Sequence, residues 1–301
     1  MRLPRWVPSG HGVAAAMPSP PQGVWHLGPL PVRAYALCIL AGVVVAAGVT
    51  NRRWVARGGI AGTATDLAVW AVPAGLIGAR LYHLATDWPS YFGPDRGSEQ
   101  VWEIWKGGLG IPGGVLGGAL GAWAYARRHG IRLAAFADAL AVGLPLAQAI
   151  GRFGNYFNQE LYGAPTTLPW ALRIDPAHRL PGYADVATYH PTFLYESLWD
   201  VGVAVLVLLA DRRFRLGHGR AFALYIAAYA VGRSWIEAVR IDPANTIAGI
   251  RINDWTSLVA FLGAVAYIVA SRRVRPGRED PGTVQSRPAQ PSPVPERTST
   301  G

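Results

Sequence analysis

The chain has 301 residues, of which 51% are hydrophobic and only 15% are charged. Ordinary soluble domains carry about 25% charged residues, so this composition excludes a soluble globular protein and indicates a membrane protein with several spans. The net charge of +10 would ordinarily suggest nucleic-acid binding. The placement of the arginines along the chain indicates membrane topology instead, and no nucleic-acid partner is expected.

Cysteine and histidine usage limits the chemistry that the chain can support. Cys38 is the only cysteine, so an internal disulfide is excluded, and its apolar surroundings indicate a buried, inert thiol. The sequence has no cluster of cysteine and histidine with the spacing of a metal site. Neither a metal nor a cofactor is therefore expected.

The two ends of the chain differ in composition from its centre. Residues 1–31 are rich in Pro, Gly and Ser, and the apolar piece at 13–17 is too short for a signal-peptide core. We interpret this segment as a mobile external leader. Residues 272–301 are dominated by Pro, Ser, Thr, Arg and Glu, and such a segment buries too little apolar area to fold. It is predicted to be a disordered cytoplasmic tail.

Seven apolar segments lie between these ends, within residues 32–271, and each is near the ~20 residues needed to cross the hydrocarbon core. They are predicted to be helices, because a helix satisfies its own backbone hydrogen bonds inside the bilayer. The segments are 32–50, 67–86, 108–126, 134–150, 191–210, 219–238 and 253–271. The predicted fold class is an all-α integral membrane protein with seven transmembrane helices.

Arginine placement predicts the orientation of these helices. The loops after segments 1, 3 and 5 and the end of segment 7 are rich in arginine, and by the positive-inside rule they are cytoplasmic. An odd number of spans then places the N-terminus outside and the C-terminus in the cytoplasm. The loop at 151–190 is external, and its prolines predict an arm of turns and short strands between helices 4 and 5.

The stretch from Gly151 to Gly163 reads GRFGNYFNQELYG and follows an apolar segment directly. A polar cluster at a membrane is costly, so it indicates a functional site; the alternative is a polar loop that caps a helix end. The hydrogen-bonding and charged side chains of this stretch are Arg152, Asn155, Asn158, Gln159 and Glu160.

Two further clusters lie on segments 5 and 6. Tyr229, Arg233 and Glu237 are spaced four residues apart, so they share one helix face, which is predicted to face the bundle interior. The alternative is an internal ion pair that holds helices together. His190 and Glu196 lie at the start of segment 5. Either both are site residues, or His190 is an interfacial histidine whose hydrogen bonds are satisfied and Glu196 is a buried structural carboxylate.

Segments 2 and 3 carry weaker signals. Arg80 lies late in segment 2, where it is either a third site cation or a side chain that extends to the membrane interface. Glycines repeat every four residues from Gly110 to Gly118 and from Gly113 to Gly121, which favours close helix packing. Guanidinium groups suit phosphate, and phosphate at membrane depth indicates a phospholipid headgroup. The predicted site therefore combines Arg152, Arg233 and Arg80 with the carboxylates of Glu160, Glu196 and Glu237.

Three motifs resemble those of bacterial prolipoprotein diacylglyceryl transferases. They are the stretch at 151–163, the HPTFLYE sequence at 190–196 and the GRSWIE sequence at 232–237, and the resemblance spans about residues 28–272. It implies a seven-helix catalytic domain in the bacterial cell membrane. It also implies a reaction in which the diacylglyceryl group of phosphatidylglycerol moves to the lipobox cysteine of a prolipoprotein signal peptide, which releases glycerol phosphate.

The resemblance also implies site residues. The implied catalytic residues are Arg152, Asn155, Glu160, Arg233 and Glu237. Phosphatidylglycerol is expected to be bound by Arg152, Arg233, Tyr35, Gly163, Tyr229, His190, Glu196 and Arg80.

One position departs from the family pattern. Many members carry a histidine, proposed as a base, where this chain has Pro112. The hypothesis is that an arginine-rich field lowers the pKa of the thiol, with Glu160 or Glu237 as a possible proton acceptor. Two other functions are alternatives. A transporter or scaffold should carry polar residues in both membrane halves, whereas those of this chain lie mainly toward the outside. A headgroup phosphatase needs a nucleophile or a metal cluster, and neither is evident in the sequence.

Overall fold

The computed structural model describes residues 16–28, 30–92, 101–104 and 107–286, and over these residues it is mostly helical. Each apolar segment predicted from the sequence coincides with one helix. The helices are α1 (Ala34–Ala56), α2 (Thr63–Thr86), α3 (Ile111–Arg128), α4 (Leu133–Asn158), α5 (Thr192–Phe214), α6 (Arg220–Val239) and α7 (Ile252–Val274).

Five of the described helices, α1, α2, α4, α5 and α7, are long and apolar enough to cross a membrane by length and composition. The other two, α3 and α6, do not meet the same standard. Helix α3 has only 18 residues and ends in Arg127 and Arg128. Helix α6 carries Arg233 and Glu237 among its 20 residues.

Helix α4 corrects the predicted start of the external loop. The helix continues through Asn158 and ends where Gln159 adopts a left-handed backbone conformation, with φ of 53°. Arg152 and Asn155 therefore lie on the last two turns of a helix and not in a loop. The helix persists because Gly154 and Asn155 are buried against neighbouring elements, so their packing stabilises turns that the polar sequence alone does not favour.

Glycines allow the helix backbones to meet, as the four-residue glycine repeat predicted. A Cβ atom added to Gly78 of α2 would lie 2.3 Å from the carbonyl oxygen of Gly113 on α3, and one added to Gly117 would lie 2.3 Å from that of Ala74. Helices α1 and α4 meet in the same way, since a Cβ on Gly42 would lie 2.8 Å from the carbonyl oxygen of Ala147. Contact this close maximises dispersion between helices.

Three two-stranded antiparallel pairs accompany the helices within the described residues. Strand β1 (Val24–Leu27) pairs with β2 (Leu30–Arg33) just before α1, and β3 (Leu172–Arg173) pairs with β4 (Thr188–Tyr189) in the connection between α4 and α5. Strand β5 (Thr246–Ile247) pairs with β6 (Ile250–Arg251) between α6 and α7. The short strands predicted between helices 4 and 5 are thus present.

The predicted mobile leader is wrong for the part of it that the structure describes, residues 16–28 together with the start of β2. The backbone N–H of Met17 donates to the carbonyl of Ala171 at 2.7 Å, and the Tyr156 hydroxyl donates to the carbonyl of Pro18 at 2.8 Å. These backbone groups are paired with the α4–α5 connection, which fixes the segment. Residues 1–15 lie outside the described residues.

The predicted disordered tail is also wrong for residues 272–286. Helix α7 continues to Val274, and residues 278–286 form a segment that we call the C-terminal strap, in which Val284 is only 1% exposed. The Gln285 side-chain oxygen accepts hydrogen bonds from Trp54 Nε1 at 3.1 Å and from the backbone N–H of Ile60 at 2.9 Å. Residues 287–301 lie outside the described residues.

The strap closes the end of the bundle that lies away from Arg152, and a second charged cluster, which was not predicted from the sequence, lies at this end. Asp211 of α5 pairs with Arg53 at 2.9 Å, Arg57 at 3.0 Å and Arg278 of the strap at 2.5 Å. Buried Asp138 accepts backbone N–H bonds from Gly219 and Phe222 at 2.9 and 3.1 Å. These carboxylates are held by the end of α1, the start of α6 and the strap, which indicates a structural role.

Candidate active site

Glu196 joins two arginines that come from different helices. Its Oε2 atom lies 3.2 Å from Nε of Arg152 on α4, and its Oε1 atom lies 3.4 Å from a terminal guanidinium nitrogen of Arg233 on α6. Arg152 also donates to the Tyr229 hydroxyl at 3.3 Å. Because Pro191 precedes α5, its first turn begins at Thr192 and places Glu196 four residues inside the helix. Three predicted site residues, separated by up to 81 positions, thus form one cluster with Tyr229.

Glu237 is the most enclosed carboxylate of this cluster, with 1% of its surface exposed. Its Oε2 atom lies 2.9 Å from Arg233, one turn earlier on α6. Its Oε1 atom lies 2.7 Å from Nε of Arg251 and accepts a hydrogen bond from Asn253 Nδ2 at 3.0 Å. The Arg233–Glu237 pair was predicted as one alternative from the four-residue spacing. The contributions of Arg251 and Asn253 were missed, because the β5–β6 hairpin brings them back to α6.

Asp242 continues the network beyond the end of α6. Its carboxylate receives hydrogen bonds from Nε and NH2 of Arg240 at 2.7 and 2.9 Å, and one from Arg251 at 3.3 Å. Burial raises the pKa of Asp242, but the Arg240 hydrogen bonds and the charges of Arg240 and Arg251 outweigh it, so the pKa lies below the ordinary value. Arg251 also donates to the backbone carbonyls of Arg240 and Asp242 at 3.0 and 2.7 Å, which fixes the α6–α7 connection.

A small cavity, with room for about one water molecule, lies beside these ion pairs. Asp200 lies one turn further along α5 than Glu196, is 2% exposed, and was not singled out by the sequence analysis. Trp199 forms part of the wall because Gly232 lacks a side chain: a Cβ there would lie 2.0 Å from the indole nitrogen. The lining residues are Arg152, Glu196, Trp199, Asp200, Tyr229, Gly232, Arg233 and Ile236.

Tyr35 packs against α4 next to Arg152. A Cβ on Gly154 would lie 2.4 Å from Cδ2 of the Tyr35 ring, so the glycine provides the space that the ring occupies. The phenol is close enough to interact electrostatically with both Glu160 and Arg152. The structure therefore brings Tyr35 of α1 to the side of α4 that carries Arg152.

Asn155 and Glu160 form a separate contact at the end of α4. Asn155 Nδ2 donates to Glu160 Oε1 at 2.9 Å, and Asn158 Nδ2 donates to the same oxygen at 3.3 Å. Gln159 anchors this turn to the arm through hydrogen bonds with Asp175 at 2.6 and 2.9 Å. Asn155 is buried whereas Glu160 is exposed. A buried amide thus fixes the end of α4, and the carboxylate that it contacts lies at the surface.

Gly163 and His190 are joined through their backbones. The Gly163 N–H donates to the carbonyl of His190 at 3.0 Å, and a Cβ on Gly163 would lie 2.9 Å from the His190 Cβ and 2.8 Å from a Val239 methyl group. The His190 ring contacts the Tyr195 hydroxyl at 3.1 Å, and burial lowers the pKa of His190. Both residues hold the arm against α6, and neither lines the cavity.

Arg80 is placed apart from the other predicted arginines. Its Nε donates to the carbonyl of Val101 at 2.8 Å, and NH1 donates to the carbonyls of Gly107 and Gly108 at 2.9 and 3.0 Å. It also lies over the Tyr91 ring at 4.9 Å. Arg80 thus ties described parts of the α2–α3 connection together, and no described contact joins it to Arg152 or Arg233.

The fold and the cavity define a class: a membrane protein with several spans and an arginine–carboxylate site within its helix bundle. Over the described residues, no three His, Cys, Asp or Glu side chains are grouped as metal ligands. The sequence model of the family described as prolipoprotein diacylglyceryl transferase matches residues 22–270. The chain belongs to this membrane family.

Curated relatives are similar over most of their length. A phosphatidylglycerol–prolipoprotein diacylglyceryl transferase of Streptomyces coelicolor is 61% identical over 267 residues, which cover 88% of this chain and 76% of the relative. The protein of the same name from Streptomyces griseus is 60% identical over 267 residues, covering 88% and 81%. That from Mycobacteroides abscessus is 54% identical over 288 residues, covering 91% and 83%.

Proposed function

We propose that this chain transfers the diacylglyceryl group of phosphatidylglycerol to the lipobox cysteine of prolipoproteins and releases glycerol phosphate. The names of its relatives, at 54–61% identity, support this reaction. The observation that carries the proposal is the pair Arg152 and Arg233, which reach one cavity from two helices and share Glu196. Two guanidinium groups at one cavity suit the phosphate of an anionic lipid.

The chemistry requires the arginines to exchange partners. In the described structure Glu196 pairs with both of them, and a bound headgroup phosphate would replace part of that pairing. Attack of a cysteine sulfur on the glycerol carbon breaks the carbon–oxygen bond and leaves a second negative charge on the phosphate. Fixed donors stabilise such developing charge without reorganisation. Arg152 and Arg233 are therefore the proposed catalytic groups, and Tyr229 orients Arg152.

The remaining predicted residues are proposed to support this arrangement. Glu237 holds Arg233 in place. Asn155 and Glu160 fix the end of α4 that carries Arg152, and Tyr35 covers the same side. Gly163 and His190 are proposed to seat the arm next to the entering headgroup.

We also propose the membrane arrangement. All seven helices span the bilayer, including α3 and α6. Packing against neighbouring helices offsets the low hydrophobicity of the glycine-rich α3, and the charges of α6 are paired inside the bundle. The arginine-rich ends near Asp211 lie in the cytoplasm together with the strap and the C-terminus. The site, the arm between α4 and α5 and the N-terminus then lie at the outer side of the bacterial cell membrane. Phosphatidylglycerol enters the site laterally from the bilayer.

The test uses the full chain purified in detergent, with phosphatidylglycerol and a lipobox peptide. We expect the peptide cysteine to gain the mass of a diacylglyceryl group, and we expect Arg152→Ala to abolish the gain. Arg52→Ala is the matched control, because Arg52 is an exposed arginine on α1 at the far end of the bundle. A folded parent protein that modifies no peptide would contradict the proposal.

A further inference from the structure

Asp200 is a buried carboxylate that the network described above leaves unexplained. Its side chain lines the cavity together with Arg152, and only 2% of its surface is exposed. Its Oδ2 atom has no hydrogen-bond partner among the described residues. A carboxylate is costly to bury without a partner, so this arrangement needs a reason connected with the contents of the cavity.

The other carboxylates near the cavity are already engaged. Glu196 pairs with Arg152 and Arg233, and Glu237 pairs with Arg233 and Arg251 outside the lining of the cavity. Glu160 is exposed and is held by Asn155 and Asn158. The hypothesis based on sequence names Glu160 or Glu237 as the proton acceptor, but neither side chain lines the cavity. Asp200 does.

The depth of Asp200 matches that of the reacting carbon. It lies four residues beyond Glu196 in α5, which is about 6 Å further toward the middle of the bundle. With the headgroup phosphate at the arginines that Glu196 joins, the glycerol headgroup extends toward water and the acyl-bearing glycerol extends toward the bilayer core. The carbon that the sulfur attacks is on the core side of the phosphate. Asp200 is on that same side, whereas a ligand for the headgroup hydroxyls would be on the other.

We propose that Asp200 is the general base that accepts the proton of the lipobox cysteine thiol, an inference that rests on the proposed function. The S–H bond breaks and its proton passes to a carboxylate oxygen of Asp200. The sulfur electron pair forms the bond to the glycerol carbon as the bond from that carbon to the phosphate oxygen breaks. The bonding pair leaves with glycerol phosphate, whose added charge faces Arg152 and Arg233. The proton then passes from Asp200 to solvent.

The test compares two peptides that differ in one atom, a lipobox peptide and the same peptide with selenocysteine in place of cysteine. The ionised form is the nucleophile, and a selenol is ionised at neutral pH without help from a base. For the cysteine peptide, we expect Asp200→Asn to lower kcat about 100-fold or more, which is the usual contribution of a general base. For the selenocysteine peptide, we expect parent and variant to agree within about threefold, since general-base help is no longer needed.

Two further variants keep the result open to contradiction. Asp200→Glu retains a carboxylate and should recover a measurable part of the rate with the cysteine peptide. This variant tests the inference even if Asp200→Asn proves too unstable to assay. Glu196→Gln disturbs the arginines and should slow both peptides by the same factor. Equal losses for both peptides in Asp200→Asn, or no loss with cysteine, would overturn the inference. A parent protein inactive on both peptides would instead overturn the proposed function.

Discussion

Arg251 Nε lies 2.7 Å from Oε1 of Glu237, so the start of α7 is tied to the carboxylate that holds Arg233. Arg251→Ala would remove one cationic partner of Glu237, a carboxylate that is only 1% exposed. Removing one partner of a buried pair costs roughly 3–5 kcal/mol. We expect a lower Tm in detergent and a reduced transfer rate.

The matched control for this variant is Arg273→Ala, which removes an exposed arginine near the end of α7, the helix that follows Arg251. It should leave both Tm and transfer rate close to those of the parent. If Arg251→Ala behaved like Arg273→Ala, the Glu237 pair would not contribute to the site.

Gly163→Ala should impair activity through steric overlap. The added Cβ would meet a Val239 methyl group at 2.8 Å and the His190 Cβ at 2.9 Å. Overpacking of this kind costs about 1–3 kcal/mol, and if it is expressed in the transition state, the rate falls about tenfold or more. Gly202→Ala is the control: nothing lies within 4 Å of its added Cβ. A Gly163→Ala protein with the transfer rate of Gly202→Ala would contradict the steric account.

Asp242 should make stability depend on pH in the acid range. Its folded-state pKa lies below the ordinary value because of Arg240 and Arg251, so its contribution is fully present above the unfolded pKa of about 3.9. That contribution is lost as the pH falls through the folded pKa. The difference in Tm between the parent and Asp242→Asn should thus be constant near neutral pH and shrink below about pH 4. A difference that stayed constant down to about pH 2 would contradict the pairing.

Removal of the C-terminal strap should destabilise the far end of the bundle. A chain that ends after Val274 loses the Arg278 contact to Asp211 and the burial of Val284 among the residues around Trp54. Burying a valine contributes about 1.5–3 kcal/mol, so a lower Tm is expected. The control ends after Ser286 and keeps every described contact of the strap. Equal Tm values for the two shortened chains would show that the strap contributes nothing.

Much of the fold could be predicted from hydropathy, because each helix here is an apolar run. The glycine repeat in α3 likewise predicted close packing, since small residues have one dominant use between membrane helices. The strap could not be predicted. Its sequence is polar and contains Pro281, and its stability comes from Val284 and Gln285 in contacts with residues more than 150 positions earlier.

The site was predicted in part for the same physical reason. Arg233 and Glu237 share a helix face, so their pairing is local and readable. Arg251 and Asp200 were missed because their roles depend on where a hairpin and a cavity lie in three dimensions. Arg80 is grouped with the site because it is an intramembrane cation; it donates to nearby carbonyls, and its role in binding phosphatidylglycerol stays a prediction.

The strap also has a consequence for the order in which the protein matures. It is the last described part of the chain to be synthesised, so the loops that it ties together leave the ribosome before it exists. Until translation passes residue 286, Asp211 has Arg53 and Arg57 but lacks Arg278, and Trp54 lacks the acceptor on Gln285. Closure of this end of the bundle therefore requires a polypeptide that extends through the strap, and a chain that ends before it lacks these partners.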